Sequence, residues 1–199
     1  MALKIFLLTL RRKEAKTMAV LKRLTNLLEK AKVKYEIIKH KTVYTAMDKA
    51  ETLHINPKNV AKTVVVKIGK GKHILALIPA NKNLDKVQLK KTINGWLKKT
   101  AKAVKVKKAA EAVKEINFAT EAWMRKNIKG KIGATPPFGK LFKMPTFIDR
   151  SLLRAKKLII NTGDYEHSIE IPSKQIEKVE SLIKGSFSKI KKKIKSRPR

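Results

Sequence analysis

The sequence has no cysteine, few acidic residues and few aromatic residues. The absence of cysteine excludes disulfides, thiolate catalysis and cysteine-ligated zinc. The four histidines are scattered along the chain, so the sequence predicts no metal site, and no motif indicates a cofactor. No apolar run approaches the ~20 residues of a membrane-spanning helix. Aromatic residues make up 6% and hydrophobic residues 43%, which predicts a sizeable aliphatic core.

The shortage of acids leaves a large positive charge. The chain has 49 Lys and Arg residues against 15 Asp and Glu, for a formal net charge of +34. Codon bias toward lysine would explain many lysines but not the missing acids. Such an excess repels itself unless it meets a polyanion, and nucleic acid is the usual one. We expect RNA as the partner, with an anionic membrane surface as the alternative.

The length of 199 residues fits one domain with tails. The first residues are apolar and are followed by Arg11, Arg12 and Lys13. A signal peptide has the opposite order, with its charges first. We interpret 1–17 as an extension, either disordered or an alternative start, 18–186 as the domain, and 187–199 as a basic tail. The expected compartment is the cytoplasm.

Hydrophobic periodicity predicts both helices and strands. Apolar spacing and capping residues predict helices over 18–31, 45–53, 84–98, 109–116, 120–127 and from Ser173 to Ile183, with a helical turn at Asn56-Pro57. Runs of β-branched residues predict strands over 33–40, 61–67, 73–79, 146–153, 157–161 and 167–171. The low-complexity segment 98–108 is basic, and we expect it to be exposed. Because strict βαβ alternation is missing, the expected class is α+β, a mixed β-sheet surrounded by helices.

Familiar catalytic motifs are missing. The sequence has no Walker loop, dinucleotide fingerprint or HExxH motif, and no GxSxG elbow. An acyl-transfer triad is therefore unsupported.

Three segments remain as candidates for chemistry. Lys62 lies where a short helix gives way to an apolar strand; it is either one exposed lysine among many or a cation that holds a phosphate or oxyanion in a cleft. The segment GATPPFG (133–139) is either a connecting loop or a stiff loop whose first amides bind an anion. His167, near the Gly163-Asp164 turn, is either a structural histidine or a substrate contact.

Taken together, these segments resemble the YbaK/ProX family, also called the prolyl-tRNA-synthetase-associated editing domain. The resemblance covers about residues 20–185, and its motifs occur in the family's order. They are Thr45-Ala46, the V-A-K-T strand from Val60 to Val66, Pro79-Ala80-Asn81, Leu84-Asp85, Ala119-Thr120-Glu121, the loop 133–139 and the turn Gly163-Asp164.

The resemblance implies trans-editing, the hydrolysis of the ester that joins a wrong amino acid to the terminal adenosine of a tRNA. In related members a ribose hydroxyl of the substrate helps to place water, so no side-chain nucleophile is needed. The catalytic residues implied are Lys62, Gly133, Ala134 and Thr135. The substrate-binding residues implied are Thr45, Asn81, Pro136, Pro137, Phe138, Gly139, Asp164 and His167. The implied partners are aminoacyl-tRNA and, as an open question, a synthetase, with no membrane.

Two alternatives stay open at this point. One is a tRNA- or synthetase-associated binding protein that kept the fold and lost hydrolysis. The other is an RNA-coating protein that uses charge alone. The chain also departs from the family: 98–116 is longer and more basic than the usual connection, and Thr135-Pro136 replaces small residues before a single proline. The amino acid removed is therefore not predicted.

Overall fold

A computed structural model describes residues 18–69, 71–103 and 111–190. The helices are α1 (18–30), α2 (Ala46–Thr52), α3 (Lys86–Ala103), α4 (Glu121–Asn127) and α5 (Ile176–Val179). The strands are β1 (Glu36–Lys39), β2 (Ala61–Ile68), β3 (Lys72–Pro79), β4 (Lys82–Leu84), β5 (Ile116–Phe118), β6 (Thr146–Asp149), β7 (Lys157–Asn161), β8 (His167–Pro172), β9 (Leu182–Gly185) and β10 (Ser188–Ile190). Single 3₁₀ turns cover Pro57–Asn59, Gly139–Leu141, Leu152–Arg154 and Ser173–Gln175. This confirms the α+β class with a mixed sheet.

The strands form two main sheets and a ribbon. The larger sheet has the order β5-β2-β3-β6-β9, in which β5, β2 and β3 are antiparallel neighbours. Strand β6 runs parallel to β3, and β9 runs parallel to β6. The smaller sheet, β1-β8-β7, is antiparallel, and β10 pairs with β4. A parallel bridge between Val60 and Ile159 joins the two sheets.

Helices cover both faces of the larger sheet. Because side chains alternate along a strand, Ala61 of β2 contacts the cluster that includes Leu24 and Leu28 of α1. Val66 faces the opposite side and packs with Leu89 of α3. The strands are therefore sandwiched between two apolar layers.

The helix predicted over 109–116 is wrong in its described part. Residues 111–115 are irregular, and Ile116 begins β5. The Val113 amide donates to Asn94 Oδ1 at 2.7 Å, and Asn94 Nδ2 donates to the Val113 carbonyl at 3.2 Å. These side-chain bonds and the pairing of Ile116 with Ile68 replace the hydrogen bonds that a helix would make.

Two more predicted elements end early. The helix from Ser173 stops at Val179, because Leu182 and Ile183 pair with β6 as strand β9. Strand 146–153 stops at Asp149, whose carboxylate accepts from the amides of Ser151 and Phe187. Strand pairing overrides local propensity in the first case, and side-chain hydrogen bonds to the backbone end the strand in the second.

The predicted basic segments also differ from the structure at their edges. Residues 98–103 continue α3, which extends the helix predicted to end at 98. Packing continues beyond the predicted boundary at 186, since Phe187 is fully buried and β10 pairs with β4. The predictions for 1–17, 104–110 and 191–199 lie outside the described residues. Within the described ranges, no helix is both long and apolar enough to cross a membrane.

Candidate active site at the junction of the two sheets

The bridge between the sheets sets two polar side chains beside each other. Val60 and Ile159 pair in parallel and pack in one small cluster with Ala50 of α2. Lys62 and Asn161 each follow a bridge residue by two positions. Their side chains therefore project to the same side as those of Val60 and Ile159. The junction thus brings a lysine, an asparagine and the inner side of α2 to one place.

Lys49 of α2 points into this junction. Its side chain is 3% exposed, and its Nζ donates to Asn161 Oδ1 at 2.6 Å. Burial lowers the pKa of Lys49 from its ordinary 10.5 to about 8, and the charge of Asp164 opposes the shift. Desolvation therefore outweighs the nearby carboxylate.

Asn161 links Lys49 to the loop 133–139. Its Nδ2 donates to the Gly133 carbonyl over a long 3.4 Å. Gly133 has φ +87°, a backbone conformation that favours glycine, and it lies against the carbonyl of Tyr44. Gly133 is exposed while the rest of the loop is buried, so the loop enters the protein directly beside Asn161.

The far end of the loop is held by buried acceptors. The Gly139 amide donates to Thr146 Oγ1 and to Glu180 Oε1, each at 2.9 Å. The Lys140 amide donates to Glu180 Oε2 at 2.8 Å. Phe138 is fully buried in the cluster that contains Ala61. The loop is therefore fixed by packing and hydrogen bonds at both ends.

The loop contains polar groups without a partner. Thr135 is 1% exposed, and its Oγ1 has no hydrogen-bond partner. The amides of Gly133 and Thr135 donate to no acceptor in the part of the chain that the structure describes. The amide of Ala134 was expected to be free as well, but it donates to the Lys131 carbonyl at 3.1 Å. Buried polar groups are normally paired, so Thr135 offers groups that a ligand can satisfy.

Lys62 lies at the other side of the junction. Its Nζ donates to the Lys82 carbonyl at 2.7 Å, which brings it next to Asn81. Asn81 Oδ1 is buried and has no partner, and the same is true of the hydroxyl of Thr63. Lys62 and Asn81 are thus neighbours.

Asp164 and His167 form a second polar group near Lys49. Asp164 accepts from the amides of Glu166 and His167, and its Oδ2 lies 3.0 Å from His167 Nδ1. His40 lies nearby, and its Nε2 forms a hydrogen bond with Ser168 Oγ at 2.8 Å. Burial lowers the pKa of His40, with an opposing contribution from its bond to the Lys41 carbonyl.

Comparison with known proteins identifies the domain. A family model described as the aminoacyl-tRNA editing domain matches residues 40–102 and 97–179. The chain belongs to this family. A search of curated proteins found no match. The fold is similar to that of the hypothetical protein APE2540, with a TM-score of 0.69 and 16% identity over 83% of this chain and 99% of that one.

A second solved structure is a candidate trans-editing enzyme for prolyl-tRNA synthetase. The TM-score is 0.63 with 18% identity, over 85% of this chain and 97% of that one. At this identity the likeness shows a shared fold. The family model is what confirms the predicted resemblance to an aminoacyl-tRNA editing domain.

The editing domain does not bring all of the predicted site residues to one surface. Lys62 lies on the same face as Val60, whereas Phe138 packs on the opposite face with Ala61. The Thr45 hydroxyl accepts from the Asp48 amide and caps α2. Pro136 and Pro137 are buried within the loop.

Two residues at the centre of this editing domain's junction were not among the predicted ones. Lys49 occupies the stripe of α2 that also holds Ala46, Ala50 and Leu53, and a lysine on an apolar stripe is the signal that could have revealed it. Asn161 ends the apolar strand β7, where a polar residue marks the end of the buried run.

Proposed function

We propose that this editing domain is an aminoacyl-tRNA deacylase, which hydrolyses the ester between a mischarged amino acid and the terminal adenosine of tRNA. Family membership supports an editing role. The observation that favours catalysis is Thr135, a buried residue whose amide and hydroxyl have no partner among the described residues. Donors that are held in place without a partner can stabilise the negative charge that develops on the ester oxygen during hydrolysis.

The proposed reaction needs no side-chain nucleophile. Water attacks the ester carbonyl carbon, the bond to the ribose oxygen breaks, and the products are a free amino acid and a free ribose hydroxyl. In this proposal the amides of Gly133 and Thr135 donate to the oxyanion, and the positive charge of Lys62 stabilises it from the sheet side. Ala134 contributes shape alone, because its amide is already engaged.

The remaining predicted residues are proposed to shape the pocket. Asn81, beside Lys62, offers an unpartnered acceptor to a substrate donor such as the α-amino group. Pro136 and Pro137 stiffen the loop that carries the amides of Gly133 and Thr135, and Phe138 and Gly139 anchor its far end. Asp164 and His167 border the junction near Lys49, and Thr45 acts by capping α2.

The proposed partner is aminoacyl-tRNA, met by the basic surface in the cytoplasm. A synthetase association, suggested by one structural relative, belongs to the same proposal. The charge of +34 supports contact with the tRNA backbone, which adds affinity with little sequence information.

The test is a deacylation panel of mischarged tRNAs with the wild type, Lys62→Ala and a matched control, Lys67→Ala. Lys67 lies on the same strand, is exposed and pairs with His73 at the far end. We expect release of at least one amino acid, a loss of roughly 100-fold or more in Lys62→Ala, and normal rates in Lys67→Ala.

Full activity in a folded Lys62→Ala protein would refute the role of Lys62. Tight tRNA binding without release of any amino acid across the panel would refute catalysis and favour the binding protein. Affinity that ignores the aminoacyl group and the terminal nucleotides would favour charge-only coating.

A further inference from the structure

An exposed aromatic ring lies at the edge of the larger sheet. Phe118, the last residue of edge strand β5, is 54% exposed. It pairs with Val66, while Ile116, two residues earlier on the same face, is buried against α3. The apolar face of the sheet therefore continues past the end of the core and reaches solvent at Phe118.

A cation accompanies this ring. Lys86 Nζ lies 4.5 Å from the Phe118 ring centroid, a cation–π geometry. We call Phe118 and Lys86 the edge platform. Aromatic rings interleaved with lysines are the surface that single-stranded nucleic acid uses, because each base has a face that can stack and each phosphate a charge.

The edge platform faces the same side of the sheet as Lys62. Val66, the partner of Phe118, lies four residues from Lys62 on one face of β2, which corresponds to about 13 Å. A second connection leads the same way, since Lys62 donates to the Lys82 carbonyl and the chain then runs through β4 to Lys86. Because α3 covers Val66, an extended strand that reaches both follows the side of β4.

We propose that the edge platform stacks an unpaired base near the 3′ end of the tRNA while the aminoacyl ester lies at Lys62. This inference rests on the proposed function for the direction of the strand. Phe118 supplies the stacking surface, and Lys86 neutralises a phosphate. Charge complementarity selects a polyanion over an apolar protein segment for this surface.

The experiment measures binding, so that it does not depend on catalysis. A labelled single-stranded RNA ending in CCA is titrated with the full chain, with Phe118→Ala, with Phe118→Trp, and with Ile37→Ala as the matched control. Ile37 is also an exposed apolar residue on an edge strand, β1 of the other sheet. We expect about tenfold weaker binding in Phe118→Ala, recovery in Phe118→Trp, and no change in Ile37→Ala.

Two further measurements separate stacking from charge. A blunt RNA duplex of equal length should bind Phe118→Ala and the wild type equally, because its bases are not available for stacking. In a salt series, Phe118→Ala should keep the wild-type slope of log affinity against log salt. Lys86→Ala should make this negative slope shallower by about 0.7, because one phosphate contact is lost.

Equal affinity of Phe118→Ala and the wild type for the single strand would overturn the inference, and so would an equal loss on the duplex. The proposed function fails separately. If no tRNA is deacylated but Phe118→Ala still weakens single-strand binding, the edge platform is supported and the proposed hydrolase is refuted. If tRNA is deacylated but Phe118→Ala binds the single strand normally, the hydrolase is supported and the edge platform is refuted.

Discussion

Lys49 Nζ lies 2.6 Å from Asn161 Oδ1 in the interior of the protein, and Asn161 is the single acceptor that the described residues provide for this ammonium group. The two residues join α2 to the end of β7. Through Asn161 Nδ2 the contact extends to the Gly133 carbonyl. A buried charge thus fixes the position at which the loop 133–139 enters the protein.

The pair should show strong energetic coupling. Asn161→Leu leaves the ammonium buried without an acceptor, and we expect the free energy of unfolding to fall by about 2–4 kcal/mol. Lys49→Met removes the charge and should cost less, about 1–2 kcal/mol. The double variant should recover much of the loss, giving a coupling of about 1–3 kcal/mol in urea unfolding. Simple addition of the two single effects would show that the contact is weak.

The stability contributed by Lys49 should depend on pH. Its folded pKa of about 8 lies below the ordinary 10.5, so the unfolded chain binds more protons between these values. The burial cost is therefore fully present below pH 8 and is relieved as the pH rises toward 10.5.

The free energy of unfolding, measured for the wild type and Lys49→Met from pH 7 to 11, tests the direction of this pH dependence. Over this range the wild type should become more stable than the variant by on the order of 3 kcal/mol. Subtracting one protein from the other removes the contributions of other groups that titrate there, such as Tyr165, whose pKa is raised by burial and by Tyr44. A constant difference from pH 7 to 11 would contradict the prediction.

Thr135→Val should separate stability from activity. The Thr135 hydroxyl is buried and unpartnered, so its replacement by a methyl group should leave the free energy of unfolding unchanged or raise it. Deacylation should nevertheless fall by roughly tenfold, because we expect the hydroxyl to contact the substrate beside the Thr135 amide. The matched control is Thr146→Val, whose hydroxyl accepts from the Gly139 amide, and this variant should lose about 1 kcal/mol of stability. Unchanged activity in Thr135→Val would remove the hydroxyl from the proposed site.

Gly139→Ala should disrupt the loop. A Cβ at this position would lie 1.8 Å from the Met144 carbonyl oxygen and 2.6 Å from Thr146 Oγ1. We expect a loss of about 3 kcal/mol or more in thermal or urea unfolding, since backbone must move. Gly95→Ala in α3 is the control: nothing lies within 4 Å of its Cβ, and the change should stabilise the helix by about 0.5–1 kcal/mol. Comparable stability of the two variants would show that the loop adapts easily.

Local signals in the sequence predicted most of the elements correctly. Thr45 and Thr120 cap the helices that they were expected to cap, and Asn56 caps the predicted turn. These elements are set by short-range hydrogen bonds, which a single sequence displays. Strand β9 could not be predicted this way, because the spacing of Leu182 and Ile183 suits a helix and only their pairing with β6 makes them a strand.

The candidate site was predictable in part for the same reason. Lys62 and the loop 133–139 are visible as motifs. The structure bonds the loop to Asn161, and the bridge between Val60 and Ile159 places Lys62 on the same side. The contact of Lys49 with Asn161 depends on how two sheets meet, which no local pattern records. The unpaired state of the Thr135 hydroxyl is likewise a property of the packed interior.

The bridge between Val60 and Ile159 has a consequence for synthesis of the chain. Lys49 and Asn161 are 112 positions apart, so at 5–20 residues per second a ribosome needs about 6 to 22 s to add the second after the first. During that interval the nascent chain has Lys49 but lacks β7, whose Asn161 accepts its hydrogen bond. If the domain hydrolyses aminoacyl-tRNA, it acquires that ability only after β7 has been made. A nascent chain without β7 would then leave the charged tRNAs around the ribosome intact.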